Sequence, residues 1–465
     1  MRYSISMRAF HGRVRERSQL AKTFERAATG RPQLVVLYGR RRVGKTFLLR
    51  HVLADLQRPT RTLYWAATQD SAKQQLSELA AEVSAFLGGA APATTWSTLF
   101  DQLVDAAENE PLIVALDEVP YLSKGRAAWA SELQRSWDRA RHSGHPCHLT
   151  LVLTGSALAT ITSLVSSGGP LYGRPDELMR LDPFDLPTSA SFLPTGASAK
   201  AVFEAFAACG GYPLLLERWD VEAEALTNLI NLAGDPLGPL AATAAVQLLD
   251  LPQAAGYRRL LSTVGRGVSK YSELGARADQ RIERPLAHLL ASGLVQHRQP
   301  LGEPHSRRGR YIIGDVHLAF WFAVVEREIQ LIEGGQGPSV IQRREPEWRK
   351  HLGAVFEQEA REHAARLAAV GTWGDTPVLV GEWWSDSPQA QFDLVGASGK
   401  KWAFVGEAKL GSFGSGDLHR WNSAIASVGR SRDDAAKVVW CGADPNPEIV
   451  ALGVRHFTLN DMTGQ

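Results

Sequence analysis

Cysteine is scarce in this sequence. Only three occur among 465 residues, Cys147, Cys209 and Cys441, and no two are spaced like the ligands of a zinc site. So few scattered thiols exclude a disulfide framework as the source of stability. We therefore expect a protein of a reducing compartment and assign it to the cytoplasm.

Long apolar runs and a strong net charge are also missing. No apolar run approaches the roughly 20 residues that cross a bilayer, and the start, MRYSISMRAFHGR, lacks the apolar core of a signal peptide. We therefore expect no membrane partner. The formal net charge of +2 excludes a polycation, so a nucleic-acid surface would have to be a local patch.

The N-terminal segment is one candidate for such a patch. A solvated helix face explains its basic residues equally well. These residues are Arg8, Arg13, Arg15, Arg17, Lys22, Arg26 and Arg31.

The composition, 44% hydrophobic and 22% charged, is that of a globular protein, and the length predicts two to four domains. Apolar runs at 33–38, 112–117 and 149–155 alternate with helical patterns. Continuous apolar strands separated by helices indicate a parallel sheet that is covered on both faces. We predict an α/β domain over residues 1–237.

Two further domains are expected. Residues 238–330 read as three helices and a β-hairpin, the order of a winged helix, and GGQGPS (334–339) reads as a linker. Residues 345–465 begin with a helix and continue with short strands, which predicts a separate C-terminal α/β domain.

The segment after the first predicted strand matches G-x-x-x-x-G-K-[ST] and begins a helix, as a phosphate-binding loop requires. The loop amides would point at phosphate oxygens, Lys45 would bridge the β- and γ-phosphates, and the Thr46 hydroxyl would ligate Mg²⁺. We therefore predict ATP and Mg²⁺ as cofactors. The predicted nucleotide-binding residues are Gly39, Arg40, Arg41, Arg42, Val43, Gly44, Lys45, Thr46 and the following Phe47.

Other polar residues follow later strands. Asp117 ends the strand LIVALD and would hold Mg²⁺. Glu118 would polarise the attacking water, or it would merely flank the metal or pair with an arginine. Ser156 in LVLTGS would contact the γ-phosphate or belong to a turn. Arg174 in PLYGR would stabilise transition-state charge, in cis or from a neighbouring chain, or form a structural ion pair. Pro213 in GGYP would lie in a turn near the nucleotide or in a purely structural turn.

The chain resembles prokaryotic P-loop ATPases of the archaeal, AAA-like and STAND-related class that carry a DUF234-type C-terminal domain. The motifs that carry the resemblance are GRRRVGKT (39–46), LDEVPYL (116–122), LQRSWD (133–138), TGS (154–156), PLYGR (170–174), GGYP (210–213), YIIGDVHLAFWF (311–322), GAVFEQEA (353–360), QFDLVG (391–396) and VGEAKL (405–410). The resemblance implies an AAA+-like ATPase domain, a winged helix and a C-terminal domain of the PD-(D/E)XK nuclease type.

The C-terminal residues favour such a site independently. Glu407 and Lys409 are two apart on a strand and so share a face, and Asp393 lies on the preceding strand of a hairpin. Glu357, from the upstream helix, would supply another carboxylate. Carboxylates bind Mg²⁺ or Mn²⁺, and a lysine orients the attacking water. A solvated hairpin, or a nuclease fold without activity, is the alternative.

The sequence therefore predicts an ATPase that binds DNA and carries a metal-dependent nuclease-like tail. Arg281 and Arg284 would contact phosphates from the recognition helix, and Arg298, Arg307, Arg308 and Arg310 from the wing. A protein-interaction module is the alternative for this middle domain. The rival function is a nucleotide-gated regulatory switch with an inactive tail. A DNA-translocating motor ranks last, and whether identical chains assemble through the ATPase domain stays open.

Overall fold

The computed structural model describes residues 10–56, 60–123, 128–249, 251, 255–278, 281–374, 376–385, 390–399, 401–444 and 446–465. The chain divides into two compact units, Met1–Asp182 and Pro183–Gln465. The domain borders predicted at 237, 330 and 345 all fall within the second unit and stay predictions. No helix in the described ranges is long and apolar enough to cross a membrane.

The first unit is built around a five-stranded parallel sheet with the order β2-β3-β4-β1-β5. The three inner strands consist almost entirely of buried aliphatic residues, because helices cover both faces of the sheet. This confirms the predicted α/β fold. The strands are β1 Gln33–Tyr38, β2 Arg61–Ala66, β3 Leu112–Asp117, β4 Leu149–Gly155 and β5 Glu177–Arg180.

In the described part of the first unit, six helices surround this sheet. Side chains alternate along a strand, so Leu112, Val114 and Leu116 join a core with α3 to α5, whereas Asp117 lies on the opposite face. The helices are α1 Val14–Ala28, α2 Lys45–Ala54, α3 Ala72–Phe86, α4 Trp96–Ala106, α5 Ala128–His142 and α6 Leu158–Val165, with a 3₁₀ turn at Val119–Ser123.

The second unit begins with helices and a two-stranded antiparallel hairpin. The described residues of 238–330 form four helices before this hairpin, one more than predicted, because the stretch 240–265 contains two helices. The hairpin itself was predicted, and the name winged helix stays a prediction. The elements are α7 Leu186–Phe192, α8 Ala199–Cys209, α9 Pro213–Leu216, α10 Ala225–Ala233, α11 Pro239–Leu249, α12 Ala255–Gly265, α13 Tyr271–Ala278, α14 Glu283–Ala291, β6 Val295–Arg298 and β7 Arg310–Ile313.

The linker predicted at 334–339 is wrong, because this segment is helical. Gly335, with φ 83°, produces a kink, and Gly337 packs so closely on Gly234 that a Cβ atom would lie 1.7 Å from its carbonyl oxygen. Glycine therefore serves a tight helix contact here. The elements are α15 Val316–Phe320, a π-type turn Trp321–Val325, a 3₁₀ turn Glu326–Glu328, α16 Ile329–Leu331, a π-type turn Ile332–Gln336 and α17 Gly337–Arg343.

A mixed five-stranded sheet with the order β12-β11-β10-β9-β8 forms the C-terminal part. The long helix α18 packs against β8, β9 and β10, and β10 carries the motif with Glu407 and Lys409. The elements are α18 Glu345–Ala369, β8 Leu379–Trp384, β9 Gln391–Ser398, β10 Lys401–Lys409, α19 Ser415–Val428, β11 Ser431–Cys441, α20 Pro447–Ala451, β12 Arg455–Phe457 and α21 Leu459–Thr463.

Candidate nucleotide and carboxylate sites

The predicted phosphate loop connects the carboxyl end of β1 to the start of α2. Its first glycine is required by space, since a Cβ atom on Gly39 would lie 2.2 Å from the carbonyl oxygen of Leu181. Its second glycine is required by conformation, because Gly44 has a φ of 95°. Arg42 also adopts a left-handed conformation, with φ 67°. The loop is thus curled as phosphate binding requires.

Lys45 is buried and directed into this loop. Its Nζ donates hydrogen bonds to the carbonyl oxygens of Gly39, at 2.9 Å, and Arg40, at 3.1 Å. Phosphate oxygens are stronger acceptors for an ammonium group than these carbonyls. The lysine therefore lies where an incoming phosphate would meet it.

Asp117 is the centre of a hydrogen-bond network at the end of β3. The Thr46 hydroxyl donates to its Oδ2 at 2.8 Å, and Tyr64 and Thr154 also donate to its carboxylate. Burial acts to raise the pKa of Asp117, but the hydrogen bonds from Thr154, Tyr64 and Thr46 and the charge of Lys45 outweigh it, so that the pKa is lowered. This carboxylate stays ionised, as a ligand of a magnesium ion must be.

Tyr64 is a site residue that the sequence reasoning missed. Burial and its bond to Asp117 raise the pKa of its phenol to about 12. The signal available in the sequence was that a tyrosine stands in β2, at the sheet edge next to β3. Because β2 itself was not recognised, that signal went unused.

Glu118 is held by the residue that was predicted to sense the γ-phosphate. The backbone N–H and hydroxyl of Ser156 donate to Oε2 of Glu118 at 3.1 and 2.8 Å. Glu118 adopts a left-handed backbone with φ 53°, which is rare for a residue with a side chain. Strain of this kind is typical of functional positions. Ser156 thus anchors Glu118, and its contact with phosphate stays a prediction.

Arg174 forms the structural ion pair that was the alternative to a sensor role. Its Nε and Nη2 donate to the two carboxylate oxygens of Asp138 in α5 at 2.9 and 2.8 Å. Its Nη1 donates to the carbonyl oxygen of Tyr172. Such a two-point pair fixes the side chain, so a sensor role would require this pair to open.

Phe47 is half-exposed and stacks on Phe10, with ring centroids 5.5 Å apart and planes 4° apart. Phe10 also stacks on His51, at 4.1 Å. Phe10 thus stacks on two rings of α2, and it was not identified from the sequence. The one feature of the sequence that could have pointed to Phe10 is its position directly before a basic segment.

Three of the six described residues of the predicted N-terminal basic patch make contacts within the first unit. The other three, Arg15, Lys22 and Arg31, are exposed, so the patch stays a prediction. Arg13 donates to the carbonyl oxygen of Val43 in the phosphate loop. Arg17 pairs with Asp55, and Arg26 pairs with Glu177. Arg8 lies outside the described residues.

The GGYP turn belongs to the second unit, and packing accounts for its residues. A Cβ atom on Gly211 would lie 2.0 Å from the carbonyl oxygen of Phe184, and the Tyr212 hydroxyl donates to Oδ2 of Asp315 at 2.6 Å. Pro213 begins α9. The nucleotide contact predicted for Pro213 stays a prediction.

Three carboxylates lie on three adjacent strands of the C-terminal sheet. Asp393 on β9 has Glu407 opposite it on β10, next to the register pair Gly406 and Leu394, and Glu382 beside it on β8. Glu357 comes from α18, and its carboxyl is within electrostatic range of Asp393 and Glu382. Glu382 was missed, although it is the only charged residue in the strand VLVGEWW.

Crowding of these acids disfavours their ionised forms. Burial, followed by the charges of Asp393 and Glu357, raises the pKa of Glu407 to about 8. Burial and Asp393 raise the pKa of Glu357 to about 7, and burial also raises the pKa of Asp393. A cluster of this kind gains from a cation that neutralises it.

Two observations limit the nuclease interpretation. Lys409 Nζ pairs with Asp417 in α19, at 2.8 Å, so its charge is already matched. Among the residues that the structure describes, no group of three or more His, Cys, Asp or Glu side chains has an arrangement that could hold a metal ion. The site of Glu357, Asp393 and Glu407 thus stays a prediction that requires side-chain movement.

The predicted wing arginines mostly contact the protein itself. Arg298 pairs with Glu382, Arg308 donates to the carbonyl oxygen of Trp384, and Arg310 lies over the Trp384 ring at 4.4 Å. Phosphate contacts by these three residues are therefore disfavoured. Arg281, Arg284 and Arg307 are exposed.

Comparisons with known proteins agree with this architecture. Residues 10–218 match a family described as an ATPase domain predominantly from Archaea, and residues 321–420 match DUF234, described as Archaea bacterial proteins of unknown function. An uncharacterized protein of Methanocaldococcus jannaschii is 24% identical over 392 residues, which are 80% of this chain and 82% of that protein.

One solved structure shows the same fold at low identity, and a second is similar over much of its length. The Walker-type ATPase of Pyrococcus abyssi is 20% identical with a TM-score of 0.50, over 67% of this chain and 96% of that one. The ORC2 protein of Aeropyrum pernix is 16% identical with a TM-score of 0.44, over 73% and 97%. The family matches thus identify an ATPase domain of the predominantly archaeal type in residues 10–218 and a DUF234 domain in residues 321–420.

Proposed function

We propose that this protein binds and hydrolyses ATP at the loop of Gly39 to Thr46 and couples the nucleotide state to a DNA-directed C-terminal domain. The observation that carries the proposal is the link from Thr46 to Asp117 beside the buried Lys45. Binding of a nucleotide with its magnesium ion requires a phosphate loop, a lysine ammonium group, a hydroxyl and an ionised carboxylate.

Each residue has a role in this mechanism. The loop amides and Lys45 bind the phosphates, and Thr46 and Asp117 would hold Mg²⁺, which supplies positive charge to the phosphate oxygens when bound. Glu118 accepts the proton of the attacking water. Its anchor to Ser156 keeps the carboxylate beside the strand ends until a water replaces that contact.

The test is phosphate release by the purified chain with Mg²⁺. Glu118→Gln should keep nucleotide binding but slow hydrolysis by about 10²-fold or more, the usual worth of a general base. Lys73→Ala, which removes an exposed lysine of α3, is the control and should hydrolyse ATP like the wild type. Equal hydrolysis by Glu118→Gln and the wild type would contradict the role of Glu118.

For the C-terminal domain we propose a metal-dependent site for nucleic-acid cleavage, built from Glu357, Asp393 and Glu407 with Mg²⁺ or Mn²⁺. Their oxygen donors have the chemistry that these ions prefer. Lys409 would orient the attacking water after release from Asp417. DNA would bind through the exposed face of the middle domain that carries Arg281 and Arg284.

The test is a cleavage assay on single- and double-stranded DNA and on RNA, with Mg²⁺ or Mn²⁺, and with ATP or a non-hydrolysable analogue. Asp393→Asn and Lys409→Ala should abolish cleavage. Asp434→Asn, at an exposed position of β11, is the control. No cleavage by the wild type under any of these conditions would contradict the proposal.

A second candidate is a nucleotide-gated switch whose tail binds without cutting. The pairing of Lys409 with Asp417 favours it, since the lysine is then not available to a water. An ATP-dependent cellular phenotype that survives Asp393→Asn would favour the switch, whereas its loss would favour cleavage. Assembly through the ATPase domain and a cytoplasmic location remain part of the proposal.

A further inference from the structure

The side chain of Arg41 reaches from the phosphate loop to the turn that begins after Glu118. Its Nη2 donates a hydrogen bond to the hydroxyl oxygen of Tyr121 at 2.7 Å, although the two residues are 80 positions apart in the sequence. The backbone N–H of Tyr121 donates in turn to the carbonyl oxygen of Glu118 at 3.0 Å. One guanidinium group therefore connects the loop to the segment that carries the proposed general base.

Tyr121 is an acceptor whose position is fixed by packing. Its ring packs against the core of the first unit, and Val119 and Leu122 in the same 3₁₀ turn are buried. Pro120 lies so close to the end of β4 that a Cβ atom on Gly155 would be 2.7 Å from its Cδ. A rigid acceptor holds its donor in one place, so the guanidinium is oriented before a ligand arrives.

The terminal phosphate of ATP would lie between two residues that already have proposed roles. Lys45 would contact the β- and γ-phosphates, and Glu118 would accept a proton from the water that attacks the γ-phosphate. A phosphate between these two residues lies beside a guanidinium that extends from the loop to the turn after Glu118. This location favours Arg41 as a partner of the γ-phosphate oxygens.

The chemistry of the two acceptors favours an exchange of partners. A phenol hydroxyl is neutral, whereas a phosphate oxygen carries negative charge and accepts a stronger, charge-assisted bond. Arg174, the arginine predicted from the sequence for this role, already forms a two-point pair with the carboxylate of Asp138. Arg174 would have to leave a carboxylate to reach phosphate, whereas Arg41 would exchange a bond to a neutral group.

We propose that Arg41 is a catalytic arginine that acts in cis, and that Tyr121 is its positioning residue. In the step, the water oxygen forms a bond to the γ-phosphorus while the bond from that phosphorus to the β–γ bridging oxygen breaks. The electron pair of the broken bond stays on ADP, and the proton of the water goes to Glu118. The guanidinium keeps its own protons and stabilises the negative charge that spreads over the γ-phosphate oxygens. The inference rests on the proposed ATP hydrolysis and adds that the loop itself supplies the arginine.

Arg41→Ala should slow hydrolysis far more than it weakens ATP binding. An arginine that stabilises the transition state contributes about 10³-fold or more to kcat, so we expect a loss of at least about 100-fold, with an ATP affinity within about tenfold of the wild type. Arg41→Lys keeps the charge but not the planar fork, so it should recover part of the rate. Arg135→Ala removes an arginine of α5 whose side chain is 69% exposed, and this matched control should behave like the wild type.

Tyr121→Phe tests the positioning role with the ring still in place. It removes the acceptor alone, so kcat should fall about three- to tenfold while KM stays within about twofold. In the Arg41→Ala background the same change should have no further effect, because the hydroxyl acts through that arginine. Tyr172→Phe, at an exposed tyrosine of the same unit, is the control.

The experiment measures phosphate release with Mg²⁺ and ATP, ATP affinity by calorimetry, and retention of ADP with aluminium fluoride after gel filtration. Aluminium fluoride mimics the phosphoryl group in transfer, so its retention reports the transition-state contact separately from turnover. The wild type and Arg135→Ala should retain ADP with aluminium fluoride. Arg41→Ala should not retain it, although this variant still binds ATP.

Hydrolysis by Arg41→Ala at the wild-type rate overturns the role of Arg41. A weaker ATP affinity with an unchanged kcat also overturns it, since such a residue binds the substrate and the transition state alike. Where Arg41→Ala fails to fold, equal kcat values for Arg41→Lys, Tyr121→Phe and the wild type overturn the role instead. A wild type that binds ATP without hydrolysing it overturns the proposed ATPase activity as well, whereas the other outcomes leave that activity standing.

Discussion

The Thr46 hydroxyl donates a 2.8 Å hydrogen bond to Oδ2 of Asp117, and this bond joins the start of α2 to the end of β3. The two residues are 71 positions apart in the sequence. Thr46 comes after the loop that follows β1, and Asp117 ends β3 of the same parallel sheet, so the fold brings together the hydroxyl and the carboxylate that we propose to hold a magnesium ion. Tyr64 and Thr154 support the carboxylate from the two adjacent strands.

Loss of one supporting bond should weaken this site without destroying it. Tyr64→Phe removes a donor to Asp117, and a typical hydrogen bond to a charged group contributes about 1.5–3 kcal/mol. We expect a lower midpoint of urea unfolding and a several-fold loss of ATP hydrolysis. Tyr172→Phe, at an exposed tyrosine of the same unit, is the control. If Tyr64→Phe and Tyr172→Phe have the same urea midpoint and the same rate of ATP hydrolysis, the bond from Tyr64 to Asp117 contributes neither to stability nor to activity.

Arg174 should behave as a structural residue. Because it forms a two-point pair with Asp138, Arg174→Ala and Asp138→Ala should lower the melting temperature by similar amounts. A double-mutant cycle should give a coupling energy of about 1 kcal/mol. Hydrolysis measured on the same samples should fall less than about tenfold, the effect of about 1.4 kcal/mol on the barrier. A loss of hydrolysis 100-fold or larger with an unchanged melting temperature would restore the sensor role.

The GGYP motif should be sensitive to added volume even without nucleotide. Gly211→Ala forces a Cβ atom towards the Phe184 carbonyl oxygen, at 2.0 Å, and places a side chain at φ 73°. We expect severe destabilisation of the second unit in thermal melts without ATP. Gly353→Ala, in helix α18 with open space around it, should be neutral or slightly stabilising. Equal melting temperatures for the two variants would refute the packing account.

The carboxylate cluster should make the second unit less stable as the pH rises. Glu357 and Glu407 have folded-state pKa values of about 7 and 8, above the ordinary value of 4.5. The folded state therefore binds more protons than the unfolded state between about pH 5 and pH 8, so stability falls across this window. Glu407→Gln removes one of these groups. It should melt higher than the wild type at pH 8.5 and closer to it at pH 5.

The control for this experiment is Asp434→Asn at an exposed position. It should leave the difference between pH 5 and pH 8.5 unchanged. Addition of Mg²⁺ should raise the melting temperature of the wild type at pH 8.5 more than that of Glu407→Gln. If the melting temperatures of the wild type and Glu407→Gln change equally between pH 5 and pH 8.5, crowding of the carboxylates is not the cause of the loss of stability at high pH.

Apolar runs predicted the inner strands well. Strands β1, β3 and β4 have the predicted bounds because helices cover both of their faces. Strands β2 and β5 lie at the sheet edges, where buried residues alternate with exposed or half-buried ones and no continuous apolar run marks the strand. The phosphate loop, Asp117 and Glu118 followed from their place after predicted strands.

Contacts between residues distant in the chain were not predictable in the same way. The glycine-rich sequence GGQGPS suggested a flexible linker at 334–339. In the structure, the tight contact of Gly337 with Gly234 explains why a glycine is needed at position 337. Arg298 looked like a wing residue because it ends a hairpin strand, and only the packing of β8 and α18 reveals its partner Glu382. Tertiary contacts, rather than local pattern, decide such positions.

The most direct test of the central claim is ATP binding by the full-length chain with Mg²⁺, measured by calorimetry on the wild type and Lys45→Ala. Loss of the buried ammonium should weaken binding by about 2–3 kcal/mol, the value of a charge-assisted contact, which is roughly 30- to 150-fold. Lys73→Ala should bind like the wild type. ATP binding that is undetectable in the wild type, or equal in the wild type and Lys45→Ala, would contradict the account.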